Sequence, residues 1–327
     1  MMVTVGIKAL NEESHIEACL VSALAAVAPF QGEVILADCG STDHTIEIAK
    51  RFPVKIFQLA DPSQRSCGTG AQLAFQHARG EYFYMLDGDM VLSPEFLATG
   101  IDYLKKHPDV AGVGGRVSQK NTENVEYRIR AVTSEADSQP GAGTVDRLDC
   151  GGLYRADALH SVGYFADRNL HAFEEFELGA RLQAAGWKLA RIDAPAVDHY
   201  GHTGAGFRLL LKWIRTGYAG AAGEVLRGAI GRPHLPIVVR QLGHVRNAVV
   251  VIVWWICVLY FALNFWPFSL AMVIFPILFL AFRRKSFSLA LYSFAMWNVY
   301  AYGLIAGLFR KRVPPTKKID DVELSSL

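Results

Sequence analysis

Two carboxylates separated by one glycine, Asp87-Gly88-Asp89, close the apolar run YFYMLDGDM from Tyr82 to Met90. Carboxylates two residues apart can face the same way, and such a pair suits a hard divalent cation, which prefers oxygen ligands and keeps places open for phosphate oxygens and water. Asp-Gly is also common turn chemistry, so the pair by itself fits a turn equally well.

The surrounding elements separate these readings. An apolar run flanked by Gly80 and Ser93-Pro94 predicts a buried strand, and acidic residues at its exit stand where open α/β sheets bind ligands. From the start, VTVGIKALNEESHIEACLVSAL predicts a strand over Val3 to Ile7, a polar loop from Asn11 to Ser14, and a helix capped by Asn11 or Ser14. GEVILADCGSTDHTIEIAKRF repeats the order: a strand over Val34 to Ala37, a loop from Asp38 to Asp43, and a helix from about His44. Such alternation implies a parallel sheet covered by helices, with its loops lining one crevice.

At this point the chain resembles the family-2 glycosyltransferases, whose nucleotide-sugar-binding domain has the GT-A fold. Three ordered segments carry the resemblance. Lys8-Ala9-Leu10-Asn11-Glu12 matches a Pro-Thr-Tyr-Asn-Glu-like segment after the first strand, and Asp38-Cys39-Gly40-Ser41 matches an Asp-Asp-Gly-Ser-like loop. Glu81 and Asp87-Gly88-Asp89 match the Gly-Glu-Tyr and Asp-x-Asp segments, and the likeness covers roughly residues 3 to 225. It implies an α/β, Rossmann-like catalytic domain with Ala9, Asn11, Glu12, Asp38 and Asp87 on the donor, Asp38 accepting from the base and Asp87 near the ribose. Asp89 would hold Mg²⁺ or Mn²⁺ against the diphosphate of a UDP-sugar, offsetting charge that develops on the leaving UDP.

The chain departs from the family pattern where an Arg-Asn pair is common, having Ala71-Gln72 instead. Arg65 is the substitute candidate for the diphosphate, and Gly68, Thr69 and Gly70 are small enough for backbone N–H groups to approach an anion. LDCGGLYRADAL and FEEFELGARLQAAGWKLARI resemble the acceptor side, with Glu175 at the position of the general base, where the family most often has Asp. The acidic residues Glu174, Glu175 and Glu177 also suit the first turn of a helix through its dipole. His199 and His202 are candidates for a third metal ligand; imidazole can ligate Mn²⁺, whereas Mg²⁺ favours oxygen donors. The Gln-x-x-Arg-Trp signature of processive synthases has only Leu209-Leu210-Leu211-Lys212-Trp213 as its counterpart, which implies one sugar per encounter.

The 327 residues carry a net charge of +2, which gives no reason to expect nucleic acid as a partner. No charged residue occurs from Asn247 to Phe282, too long a stretch for one helix across a hydrocarbon layer of roughly 30 Å. Asn264 to Pro267 therefore marks a turn between two membrane helices, and Ser286 to Phe309 is a third, more polar apolar segment. Basic clusters at Arg240 and Arg246, at Arg283 to Lys285, and at Arg310 to Arg312 all favour the cytoplasm, which suits a hairpin but fits a third full span awkwardly. Phe207, Leu210, Leu211, Ile214 and Tyr218 form one face of a basic amphipathic helix suited to a membrane surface or a protein core. The polar Asn11-Glu12-Glu13 close to the start is unlike a signal peptide, and five scattered cysteines show no metal-type spacing.

The expected organisation is a catalytic domain over 1–204, an interfacial helical region over 205–246, transmembrane helices over 247–312, and a polar, mobile tail over 313–327. The expected protein is a multi-pass enzyme of the inner or plasma membrane with its catalytic domain in the cytoplasm. It would transfer a sugar from a UDP-sugar to a membrane lipid or lipid-linked saccharide, as in cell-surface or exopolysaccharide synthesis. A polyprenyl-phosphate sugar synthase and a non-catalytic sugar-nucleotide sensor or scaffold are the alternatives.

Overall fold

The computed structural model describes residues 2–120, 142–149, 151–201 and 207–324. The chain forms two compact units, one of Met1–Thr203 with Arg312–Leu327 and one of Gly204–Lys311.

The first unit is built on β1 (Val3–Ala9), β2 (Glu33–Asp38), β3 (Lys55–Leu59) and β4 (Tyr82–Asp87), which lie parallel in the order β3-β2-β1-β4. These strands read as almost continuous apolar runs because both faces are covered. Val3, Val5, Ile7, Val34 and Leu36 pack on one face with α1 (Ile16–Val27). Ile35, Ala37, Phe83 and Met85 pack on the other with α3 (Cys67–Gln76); the short α2 (Thr45–Ala49) joins β2 to β3. The strand order reverses about β1, so the loops after β1, β2 and β4 converge at the crevice where such sheets bind ligands.

Beyond β4 the sheet becomes mixed, unlike the all-parallel sheet expected from the alternation. β8 (Gly152–Arg155) is antiparallel to both β4 and β6 (Val110–Gln119), and β9 (Lys188–His199) is parallel to β6. The short strands β5 (Met90–Leu92) and β7 (Gly143–Val145) both run antiparallel to β9. Helices α4 (Phe96–Lys106), α5 (Ala156–Ser161) and α6 (Glu174–Ala184) complete this half.

Two local expectations are corrected. Helix α1 starts at Ile16 after His15, without a side-chain cap from Asn11 or Ser14. Asn11 instead takes a left-handed conformation (φ 59°) and ties the first loop to the second: its N–H donates to Ser41 Oγ (2.9 Å), and its Oδ1 accepts from Thr42 N–H (2.8 Å). The polar end of the chain is also not a mobile tail over its described part. Ile319 is fully buried, and β10 (Asp321–Glu323) pairs antiparallel with β3 at the sheet edge. Asp321 lies 3.0 Å from His77 Nε2, Arg312 pairs with Asp167 at 2.8 Å, and Val313 exchanges two hydrogen bonds with Asn169. Such a short, charged edge strand has no apolar alternation that would announce it.

The second unit is helical: α7 (Phe207–Thr216), α8 (Ala221–Ala229), α9 (Leu235–Gln241), α10 (Gly243–Asn264), α11 (Trp266–Arg284) and α12 (Phe287–Phe309). The last three are long and apolar enough to cross a membrane, and α10 gives way to α11 at Phe265, inside the expected turn. Helix α12 packs closely on α8 and the turn before it. A Cβ on Gly303 would come within 1.9 Å of Ala219 O, and one on Gly307 within 2.0 Å of Gly220 O. Small residues four apart permit this approach of backbones, as in membrane helix pairs. The Arg310 guanidinium pairs with the buried Glu224 carboxylate beside this contact.

Candidate active site

The site begins with the register of β1. Ala9 is aligned with Asp38 and Lys8 with Asp87, so the ends of β1, β2 and β4 arrive together. Cys39 N–H donates to Ala9 O (2.9 Å) and Gly88 N–H to Lys8 O (3.0 Å), which fixes both loops to β1. A Cβ at position 88 would lie 2.9 Å from Glu12 Cγ and 3.3 Å from Ala9 Cβ. The glycine between the two aspartates is therefore required by the buried Glu12, whose N–H donates to Thr45 Oγ1 (2.8 Å).

Asp38 is fully buried. Its Oδ2 accepts from Gly40 N–H (2.8 Å), Ser41 N–H (2.9 Å) and Gln58 Nε2 (2.9 Å), while Oδ1 accepts from the Ser41 hydroxyl. It frames the second loop, and Oδ1 keeps more acceptor capacity than Oδ2 for a further N–H. Burial and the neighbouring Asp38 push the Cys39 thiol up to about 12, with Lys8 and Arg65 pulling the other way. Arg65 itself is exposed after the short turn Pro62–Gln64.

The expectation that Gly68, Thr69 and Gly70 present N–H groups to an anion is corrected. Their N–H groups donate to Leu170 O (2.9 Å), Ser66 Oγ (2.9 Å) and Ser66 O (3.2 Å). The glycines serve close packing: a Cβ on Gly68 would fall 2.0 Å from Asp167 O, and one on Gly70 2.9 Å from Cys39 Sγ.

Asp89 and His199 meet because β5 pairs with β9, placing Met90 opposite His199. Asp89 is 6% exposed, and its Oδ2 lies 3.3 Å from His199 Nε2. His199 Nδ1 lies 2.9 Å from Gln119 Oε1, a contact whose donor and acceptor depend on the ring tautomer. In the tautomer with the proton on Nδ1, Nε2 faces the Asp89 carboxylate with a lone pair, the form in which the two side chains would share a cation. Metal-ligating histidines characteristically donate their other N–H to such an oxygen. Two ligands on neighbouring corners of an octahedron with bonds of 2.0–2.1 Å stand about 3 Å apart, so the spacing fits a small divalent cation. Among the described residues no cluster of three or more His, Cys, Asp or Glu side chains joins them, and His202 lies outside the described residues.

Glu174 and Glu175 open α6, which follows Phe173 in a left-handed conformation (φ 66°), uncommon for a residue with a bulky side chain. The three glutamates divide their tasks. Glu177 is buried against Arg181 (2.8 Å) and the Tyr164 hydroxyl (3.1 Å) and is structural. Glu174 accepts from Lys8 Nζ at 2.6 Å, and the same ammonium lies 3.2 Å from Asp87 Oδ1. Glu175 is half-buried, and burial together with Glu174 pushes its carboxyl well above the usual carboxylate range, with Lys8 opposing. Burial also raises the Asp87 carboxyl, again against Lys8. The sequence reading missed Lys8 and Gln119; a lysine within the apolar run VTVGIKAL was the available signal for the first, and nothing marked the second.

Known proteins resemble this chain in sequence and in fold. Residues 4–163 match the family described as Glycosyl transferase family 2. The succinoglycan biosynthesis protein ExoA of Rhizobium meliloti (strain 1021) is 28% identical over 209 residues, covering 59% of this chain and 62% of that protein. The matched region thus spans less than two thirds of that relative's length. Among solved structures, the mannosyltransferase PcManGT from Pyrobaculum calidifontis, in complex with GDP-Man and Mn²⁺, superposes with a TM-score of 0.63 at 18% identity, covering 94% of this chain and 87% of its own. S. aureus TarS 1-349 in complex with UDP gives 0.54 at 18% identity over 74% of this chain and 66% of that one. Through the unit that carries β1 to β4 and the Asp-Gly-Asp site, this chain has the GT-A fold and is similar to glycosyl transferase family 2 over residues 4–163.

Proposed function

We propose that the protein is an inverting, metal-dependent glycosyltransferase that moves one sugar per encounter from a UDP-sugar to a lipid or lipid-linked saccharide at the cytoplasmic membrane face. The observation that carries this reading is the convergence of Asp38, Asp87 and Asp89 at the β1 switch point with Glu175 at the start of α6. Asp38, with Ala9, Asn11 and Glu12 organising its loop, faces the base, Asp87 the ribose, and Arg65 the diphosphate. Asp89 and His199 would hold Mg²⁺ or Mn²⁺, which when bound would supply positive charge beside the leaving diphosphate. Glu175 takes the proton of the acceptor hydroxyl as its oxygen attacks the anomeric carbon from the side opposite UDP, which inverts configuration. A carboxyl raised above the usual range is the stronger base.

Chain connectivity supports this membrane arrangement. The segments before residue 204 and after residue 311 belong to one folded unit, yet three apolar helices lie between them. A folded unit occupies one side of a bilayer, so the chain crosses an even number of times. The basic clusters flank α10 and α11 as a hairpin, with an uncharged turn at its far end. Helix α12 then does not complete a crossing. It is the least hydrophobic of the three and the most buried within the protein. Single cysteines at Asn264 and Ser286 in a cysteine-free background test this in intact cells. An impermeant maleimide is expected to label Asn264→Cys and not Ser286→Cys; labelling of the latter from outside contradicts the hairpin.

The activity is tested by UDP release from the detergent-solubilised protein with a panel of UDP-sugars, membrane lipid extract and Mn²⁺ or Mg²⁺. GDP-mannose is included because PcManGT is seen with that donor. Metal-dependent release with one UDP-sugar, reduced about a thousandfold or more in Asp89→Ala, is expected from the loss of a charge-stabilising group. Release only from GDP-mannose overturns the donor assignment, and tight UDP binding without release from any donor favours the sensor.

A further inference from the structure

We propose that Lys8 is a positioning residue that joins the donor side of the site, through Asp87, to the acceptor side, through Glu174 and its neighbour Glu175. This inference rests on the glycosyltransferase reading and adds a residue to that site. The Lys8 side chain leaves β1 one residue before the strand ends, directly beside Asp87 in the sheet register. The Nζ reaches Asp87 Oδ1 at 3.2 Å and Glu174 Oε1 at 2.6 Å, bridging segments 166 residues apart in the chain. The lysine side chain is 16% exposed and that of Glu174 6%, so little water screens these contacts.

Carboxylates this close repel, and each disfavours ionisation of the others. Glu175 feels Glu174, Asp149 and Asp87 as like charges and Lys8 as the opposing one, with Arg147 and Tyr154 also in range. Lys8 in turn feels Asp87, Glu174, Glu175 and the Cys67 thiol, and stays charged although burial works against it. The ammonium therefore has two consequences. It keeps the Glu175 base ionised at a lower pH than the carboxylates alone would allow. It also anchors the first turn of α6, whose preceding residue, Phe173, is held in an unfavourable backbone conformation.

The test compares Lys8→Met, Lys8→Arg and Glu174→Gln in the full-length, detergent-solubilised protein. For Lys8→Met, kcat is expected to fall at least tenfold and the acid limb of the pH–rate profile to move to higher pH. Lys8→Arg should recover most of both, and Glu174→Gln should lower kcat without that upward movement. UDP affinity by calorimetry provides a readout independent of turnover: Lys8→Met should weaken it at least fivefold through loss of the Asp87 contact, and Lys8→Arg should restore it. A folded Lys8→Met protein with wild-type UDP affinity, kcat and acid limb overturns the proposal. So does a variant that only melts at lower temperature while its remaining activity keeps the wild-type profile. If the wild-type protein binds UDP and transfers no sugar, the functional reading fails while the calorimetric arm still decides the place of Lys8.

Discussion

In the unit that holds the sheet, the departures from ordinary burial that gather in one place are polar residues set inside at the strand ends. Asp38 is 0% exposed and Asp89 6%, and Lys8, Asp87 and Glu174 share one cluster. In the helical unit the departure is reversed: Leu263 is 80% exposed and Phe282 86%, on helices without charged residues from Asn247 to Phe282. Both patterns are costly in water for different reasons. Buried charges need partners and fixed geometry, which the strand-end cluster provides. A broad exposed apolar surface needs a nonaqueous neighbour, and a bilayer supplies one. Polar groups in the first unit thus mark where chemistry is arranged, whereas apolar groups in the second mark what the protein is dissolved in.

The largest effect that could break this contrast belongs to the polar cluster. Glu175→Gln is nearly isosteric and should lower kcat by roughly 10² to 10⁴ while leaving UDP affinity intact, as loss of a general base does. In the wild-type enzyme, activity should fall with decreasing pH at a point above the usual carboxylate range, because protonation of the raised Glu175 carboxyl removes the base. A pH–rate profile with an ordinary carboxylate limb, or full activity in Glu175→Gln, would remove Glu175 from that role. The second result would favour an acceptor that is already ionised, as a phosphate is. A smaller effect sharpens the other side. Gly307→Leu places a side chain where even a Cβ meets Gly220 O at 2.0 Å, and should destabilise the helical unit by roughly 3 kcal/mol. Thermal unfolding in detergent measures it, and an unchanged midpoint would mean that α12 does not pack on the turn before α8 as described.

The sequence made local features legible and left non-local ones hidden. The strands ending at Ala9, Asp38 and Asp87 were visible because each is an apolar run closed by polar residues over a few positions. The second half of the sheet was not, because antiparallel pairing of β8 with β4 and of β5 with β9 depends on segments many residues apart. That pairing brings His199 to Asp89, so the histidine could be named from resemblance but not placed. Gly68 and Gly70 show a different limit: small residues permit approach of either a ligand or another backbone, and here Asp167 and Cys39 take the space. The end of the chain looked like a tail because edge strands carry charge and need no apolar alternation.

The most direct test of the central claim is transfer of a radiolabelled sugar from the responding UDP-sugar into the solvent-extractable lipid of membranes containing the protein. The account predicts label in the lipid fraction with Mn²⁺ or Mg²⁺ present, and none with Asp89→Ala. Free labelled sugar in the aqueous phase with no labelled lipid would contradict it.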